Sequence, residues 1–578
     1  MTSVASSTSS STSAATSAAT TASAAKTSTS SNSTSKYAST SATSVDWTGL
    51  IEAAYEDKLS SEDSYKTKVS TNETKLSAYA EGQSLLSTLK DAANALRAPS
   101  SALDQTKDVF NSRSATLTAS GSVDTSSTVA VTASSGAATG THSLTISQLA
   151  QSQKVASSSY TSSTTDLSLS GSVTLGSSTG KTANIAITTS MSLADIAGAI
   201  NDQTSTTGVQ ASILKVSDSS SELVLSTSDT GATMSVTDTD GIFKSLGLVG
   251  SDGSFSNVLQ TSQDAKFAVD GVSMTRSSND VTDAIDGVTM NLYATTGTNA
   301  SVTIKVAQDT SKIETAINTF TTAYNSYRDW ALTQQQTGSD GTASSDSPLF
   351  GDSTVANINS NLMTGLNFSV DDTSLASLGI TYDSSNKLVV DSTTLESALS
   401  SDADKVQSLF TYQLGATSSD LRQLGRGTDA PASFTLDFST DSSGSLTGVS
   451  VGGDDTLFTI DGSVVNGKKG TAYEGYSFVF TGTSSESITV NQTYGIGEQL
   501  YNLTDAAANT TSGSLQTLQD ELKTQDSDYQ TQITNIESRA QTYKDGLTSR
   551  YAKIQGSIST ASSTLDYLTA LLDQKKSS

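Results

Sequence analysis

The sequence predicts an α+β multidomain protein: a terminal α-helical coiled-coil leg, built from both chain ends, with β-rich head domains inserted between them. Three observations predict it. From Ser514 to Leu572, apolar residues recur at spacings of three and four, with one gap of seven. Val45 to Leu96 carries a similar helical pattern. Between these ends, short runs alternate apolar and polar residues, with Gly, Asp and Ser at the turns, as half-buried strands do.

Bulk properties narrow the function classes. A chain of 578 residues holds several domains. Only 34% of residues are hydrophobic and 6% aromatic, which suits small β domains and long helices better than large aromatic cores. Lys plus Arg is 32 and Asp plus Glu 58, so the net charge of −26 argues against nucleic acid and anionic membranes as partners. There is no cysteine, which excludes disulfides, thiol catalysis and Cys-ligated metals. No apolar run approaches the roughly 18 residues of a membrane span, so no membrane insertion is expected. The N-terminus lacks the basic and apolar regions of a cleaved secretory signal.

Residues 1–45 are low in complexity: 28 of the first 44 are Ser or Thr, too little to bury, so a disordered terminal or export region is expected. Residues 46–110 read as N-terminal leg helices, with Leu50, Ile51, Ala54, Tyr55, Val69, Leu76, Tyr79, Leu86, Leu89, Ala93 and Leu96 on the stripe, and Ala98-Pro99 as the stop. Residues 111–160 with 262–308 read as one β head domain. Its strands are marked by Leu144 and Ile146, Phe267 and Val269, Val288, Met290 and Leu292, and Val302, Ile304 and Val306. Asp270-Gly271 and Asp286-Gly287 are its turn dipeptides.

Residues 161–261 form an inserted outer β domain with a short helix, begun by a capping box at Ser192 and Asp195, and strands at 209–216 and 223–227. In 309–425, a helical leg domain, Asp309 caps a helix with Ile313, Ala316, Ile317, Phe320, Ala323, Tyr324, Tyr327 and Ala331 inward. A second helix follows the 349–354 cap, with Val355, Ile358, Leu362 and Leu366 on one face. Residues 430–496 return to the β pattern and read as an additional inserted domain.

Residues 497–578 form the C-terminal coiled-coil helix. Its seam is Leu515, Leu518, Leu522, Tyr529, Ile533, Ile536, Tyr543, Leu547, Ile554, Leu565 and Leu568, with Ala540, Tyr551, Ile558, Ala561 and Leu572 in phase. About 58 residues at 1.5 Å each make a helix of roughly 90 Å. That is longer than one domain's core requires, so a homo-oligomer assembled through the helices is expected.

Sites of chemistry are missing from the sequence. There is no Gly-x-Ser-x-Gly elbow, Walker loop, His-Glu-x-x-His or Rossmann fingerprint. His142, the one histidine, lacks His and Cys companions and is expected to be structural. Carboxylates are scattered over Ser/Thr-rich turns without the repeats of a calcium array. No enzyme activity, cofactor or metal is expected.

Several segments, taken in order, resemble one family. Asp264-Ala265, Val269-Asp270-Gly271, Thr275-Arg276-Ser277-Ser278-Asn279, Ile285-Asp286-Gly287-Val288-Thr289 and Tyr324-Asn325 follow the core pattern of flagellar hook-associated protein 2, the filament-cap family. Segments 47–59, 75–89, 140–154, 374–399 and 550–572 also resemble it, and 192–232 resembles a repeat shared by flagellin and hook-associated proteins. The likeness covers 46–410 and 497–573. It departs at His142 (often an aromatic in the family), at Tyr551 and Ile554 (Phe and Met in the family), and in the Ser/Thr-rich N-terminus. The 431–490 stretch exceeds the typical small cap protein, although 470–482 resembles a variant in some members.

This resemblance implies a secreted, extracellular structural protein, exported by the flagellar type III route. It would sit as a ring at the filament tip and help flagellin fold and polymerise. The implied partners are other copies of the chain, flagellin, the hook–filament junction protein and a flagellar export chaperone. A surface adhesin or S-layer-like protein, or another flagellar axial protein, stays open at this point.

Overall fold

Hydrophobic period becomes architecture in a computed structural model, which describes residues 46–99, 108–427 and 429–576. The expectation of disorder at 1–45 lies outside them. The chain divides into two units: Lys66–Gln530, and the described residues before and after it.

In the larger unit, helices carrying 3.6-period stripes make one core. Asp309 caps Thr310–Thr333, its side chain accepting from the Lys312 N–H. Ile313, Ile317, Phe320, Ala323, Tyr324, Tyr327 and Ala331 are buried, with Ala316 partly so. Trp330, omitted from the predicted stripe, is buried beside them and lies 5.5 Å from the Tyr327 ring. The Asp63–Leu96 helix meets this face at Gly82, where a Cβ would sit 2.5 Å from Trp330 Cη2. Asp352 caps Ser353–Leu366 through the Thr354 and Val355 N–H groups. Its second carboxylate oxygen accepts from the Tyr79 hydroxyl at 2.6 Å. Ser392–Phe410, kinked at Asp402, and Ile496–Ala508 complete the core with Leu515.

Three β units follow, each with its own apolar core. The first joins an antiparallel five-stranded sheet to a three-stranded one. The five strands, in spatial order, are Arg113–Ser120, Ser301–Gln308, Gly140–Gln148, Ala265–Val269 and Val272–Arg276. The three are Asp280–Ile285, Val288–Leu292 and Val129–Ala133. Asp270 and Gly271 adopt positive φ (51° and 81°), which closes a two-residue hairpin.

The second unit carries the Leu193–Asn201 helix, whose capping box at Ser192 and Asp195 is formed in both directions. Here the expected boundary at 161 moves, because Lys154–Ala156 pairs with Ser220–Thr227.

The third unit corrects another boundary. Tyr412–Ala416 and Leu421–Gly425, expected in the helical domain, pair with Glu486–Tyr494 and Ser477–Phe480. Leu414 and Leu421 pack into that unit's core, and Tyr412 lies 5.5 Å from the Tyr494 ring.

Candidate assembly surface

The motifs that the sequence placed far apart are tied together by asparagine amides. The Asn279 side chain accepts from the Ala150 N–H at 2.7 Å and donates to the Ala150 carbonyl at 2.9 Å. Asn325 makes the same two-way bridge to Leu388, at 2.7 and 2.8 Å. Beside it, the Tyr324 hydroxyl donates to the Asn386 carbonyl at 3.0 Å. So Tyr324-Asn325 clamps the hairpin of Ile380–Tyr382 and Leu388–Val390 onto its helix. No sequence argument had given these amides a role.

His142 closes a turn. Its Nδ1 lies 2.8 Å from Asp270 Oδ2, while the Ser143 N–H donates to Oδ1 at 2.8 Å. The Ser143 N–H, and then His142, hold the Asp270 carboxyl below the usual carboxylate range.

The predicted seam lies on Ser514–Lys576, a single element of 63 residues. Its parts meet different surroundings. In the larger unit, Leu515 is fully buried, and Leu518 and Leu522 pack on the helical core. Tyr529 is half-buried, with the Lys68 ammonium 5.3 Å from its ring centroid. Asn72 Nδ2 donates to Asp526 at 2.8 Å, and Gln519 Nε2 to Gln83 at 2.9 Å.

In the smaller unit, the seam helix runs antiparallel to Trp47–Leu59. Ile51, Ile533, Ile536 and Ala540 are buried. Around them the contacts are aromatic and cationic. Trp47 stacks on Tyr551 at 4.6 Å, and Lys544 lies 4.4 Å from the Tyr55 ring centroid and 2.5 Å from Glu52. Lys58 lies 5.6 Å from the Tyr543 ring centroid. The Glu52 carboxylate holds the Lys544 ammonium above the usual lysine range.

Leu547 is half-buried, while Tyr543 and Ile554 are exposed in the single chain, at 43% and 38%. Leu565 and Leu568 are exposed at 64% and 52%, beside Tyr567, Leu571 and Leu572. The predicted seam is therefore divided. Its first half is covered by the chain itself, and its last turns present an apolar stripe to solvent.

An exposed apolar stripe of this kind can pack against another surface. Among the described residues, no group of three His, Cys, Asp or Glu could hold a metal ion. No described helix is long and apolar enough to cross a membrane.

Comparison with known proteins gives a consistent set of similarities. The sequence model of the flagellar hook-associated protein 2 C-terminus matches residues 262–563, and that of the N-terminus matches 43–153. A flagellin hook IN motif matches 172–229. The A-type flagellar hook-associated protein 2 of Pseudomonas aeruginosa is 28% identical over 307 residues, 49% of this chain and 64% of that protein. Flagellar hook-associated protein 2 of Escherichia coli strain K12 is 36% identical over 231 residues, 37% of this chain and 48% of that protein. The chain thus spans about half to two thirds of the length of these curated relatives. Among solved structures, the D1-D2-D3 domains of the flagellar cap protein FliD from Escherichia coli align with a TM-score of 0.44 and 29% identity, covering 58% of this chain and 90% of that one. FliD (HAP2) from Pseudomonas aeruginosa PAO1 aligns with a TM-score of 0.31 and 26% identity, covering 37% and 98%.

Proposed function

The chain belongs to the flagellar hook-associated protein 2 family, and from that premise we propose that it is a structural cap at the tip of the bacterial flagellar filament. One observation carries the reading. The family match takes in both helical ends and the Asp264–Asn325 core, the parts a polymer-tip protein needs, and not only a shared outer repeat. The chain would be exported by the flagellar type III route and act outside the cell.

The mechanism is mechanical. Copies associate through the exposed turns of the C-terminal helix, where Leu565, Leu568 and Leu572 would otherwise face water. In this reading the β units serve as the head domains and the helices as the leg. Flagellin, arriving unfolded, would fold and insert beneath it, in an assembly begun on the hook–filament junction protein and served by an export chaperone. No covalent step is needed. The domain division expected from the sequence carries into this reading, with strands 154–156 and 412–425 moved to the β units they pair with. The comparisons bring no support to the adhesin or S-layer alternative.

A clean deletion of the gene tests the proposal. Non-motile cells that release flagellin into the medium as monomer are expected. Filaments of normal length would overturn it.

A further inference from the structure

Several passages of the chain converge on one buried carboxylate. Glu498, in the first turn of Ile496–Ala508, has a side chain only 4% exposed. Its Oε1 accepts from Arg97 Nη1 at 3.1 Å, just past the end of Asp63–Leu96. Its Oε2 accepts from Arg426 Nη2 at 2.6 Å, and the same nitrogen donates to the Ala98 carbonyl at 2.6 Å. Arg426 follows strand Leu421–Gly425 of the third β unit, and its side chain is 5% exposed. Each guanidinium lies over a tyrosine: Arg97 at 3.7 Å from the Tyr501 ring centroid, Arg426 at 4.8 Å from that of Tyr412. The backbone beside them is tight. A Cβ at Gly497 would come within 2.9 Å of the Phe410 carbonyl oxygen and 3.1 Å of the Leu96 carbonyl carbon.

Burying the Arg426 cation with the Glu498 carboxylate, beside a half-buried Arg97, adds little net stability, because desolvation offsets the attraction. The best-attested use of such a cluster is to select one arrangement over its neighbours. The third β unit leaves the helical core at Phe410–Thr411 and returns at Tyr494–Gly495, and Tyr412 and Tyr494 are partners in one ladder. Two adjacent crossings alone make a hinge. Arg426 adds a further tie, reaching both Glu498 and the end of the N-terminal helix.

We propose that Arg426 and Glu498 form a latch that fixes the inserted β unit in one orientation on the helical core. The insertion is then a rigid extension of that core and not a tethered appendage. The latch stands whether or not the chain caps a filament.

The chain has no cysteine, so spin labels can be placed cleanly at Ser360→Cys, on the helical core, and Ser442→Cys, at a turn of the insertion. Pulsed electron–electron resonance on the full chain should give one narrow distance distribution. With Arg426→Met the distribution should become roughly twice as wide, while circular dichroism stays unchanged. Lys90→Met breaks the Lys90–Asp505 pair inside the helical core and should leave the width alone. If Arg426→Met does not fold, Glu498→Gln, which keeps the shape and removes the charge, takes its place. A distribution already broad in the parent, or unchanged in the folded variant, overturns the latch. So does failure of both variants to fold, since the cluster would then serve folding and not orientation.

Discussion

Gly82→Ala sets two effects of opposite sign against each other. Gly82 lies inside a long helix, where alanine is favoured by about 1 kcal/mol on propensity. Its Cβ, however, would lie 2.5 Å from Trp330 Cη2, 2.6 Å from Cζ2 and 3.0 Å from Cζ3. Trp330 is 6% exposed and braced by Tyr327, itself 1% exposed, so the indole has little room to retreat. Overpacking of this kind costs about 1–3 kcal/mol. With the upper half of that range set against propensity, the substitution should destabilise by about 1–2 kcal/mol. Trp330→Phe trims the ring edge that the methyl would strike. It is destabilising alone, yet in the double variant the methyl occupies part of the vacated space. A double-mutant cycle in urea, followed by far-ultraviolet circular dichroism, should show the two costs failing to add by about 1–2 kcal/mol. The packing argument fails if Gly82→Ala alone is as stable as the parent, or if the two effects add to within about 0.5 kcal/mol.

Other substitutions probe the divided seam and the caps. Leu565→Asp with Leu568→Asp should abolish self-association and leave the helical signal intact, since both are exposed in the single chain. Ile533→Asp with Ile536→Asp should lose helix as well, by several kcal/mol. Light scattering beside circular dichroism separates the two, and equal behaviour of the pairs would contradict the division. Asp352→Ala removes a helix cap and the acceptor of the buried Tyr79 hydroxyl, so a loss of about 2–3 kcal/mol is expected in urea unfolding. Asp352→Asn, which keeps an acceptor, should cost less. Burial pushes the Tyr324 and Tyr412 hydroxyls up to about 12. The unfolded chain ionises first, near pH 10, so their contribution is whole below that pH and is lost between pH 10 and 12, about 2–3 kcal/mol for each ring. Tyrosinate absorbance should rise together with loss of helix, and ionisation of these rings in the intact fold would refute the assignment.

Local chemistry made much of the fold legible. Asp309, Asp352 and the Ser192–Asp195 box each cap the helix that follows them, because a cap needs only neighbours within three residues. The Asp270-Gly271 hairpin was readable for the same reason. The seam was readable as a face but not as an environment. A period says which residues point the same way, and it is silent on whether Ile536 and Leu568 meet the same cover. Tyr412–Ala416 and Leu421–Gly425 were misplaced because the helical pattern ending at Phe410 runs straight into them, while their partners lie 52 to 82 residues later. Arg97, Glu498 and Arg426 sit in ordinary surroundings in sequence, and only the fold buries the Glu498 and Arg426 side chains and half-buries Arg97.

The asparagine bridges bear on how this chain ages. In each, one amide does the work of a whole peptide unit, presenting an acceptor to an N–H and a donor to the carbonyl of the same residue. Aspartate has the acceptor without the donor, and glutamine is one carbon too long. Slow hydrolysis of the Asn279 amide would leave a carboxylate facing the Ala150 carbonyl, turning attraction into repulsion between segments 129 residues apart. Asn325, against Leu388, and Asn201, which makes the same pair of bonds to Ala211 at 2.8 Å, carry the same exposure to time. For a chain without cysteine to cross-link its segments, the durability of these three side-chain amides helps to set how long the fold lasts.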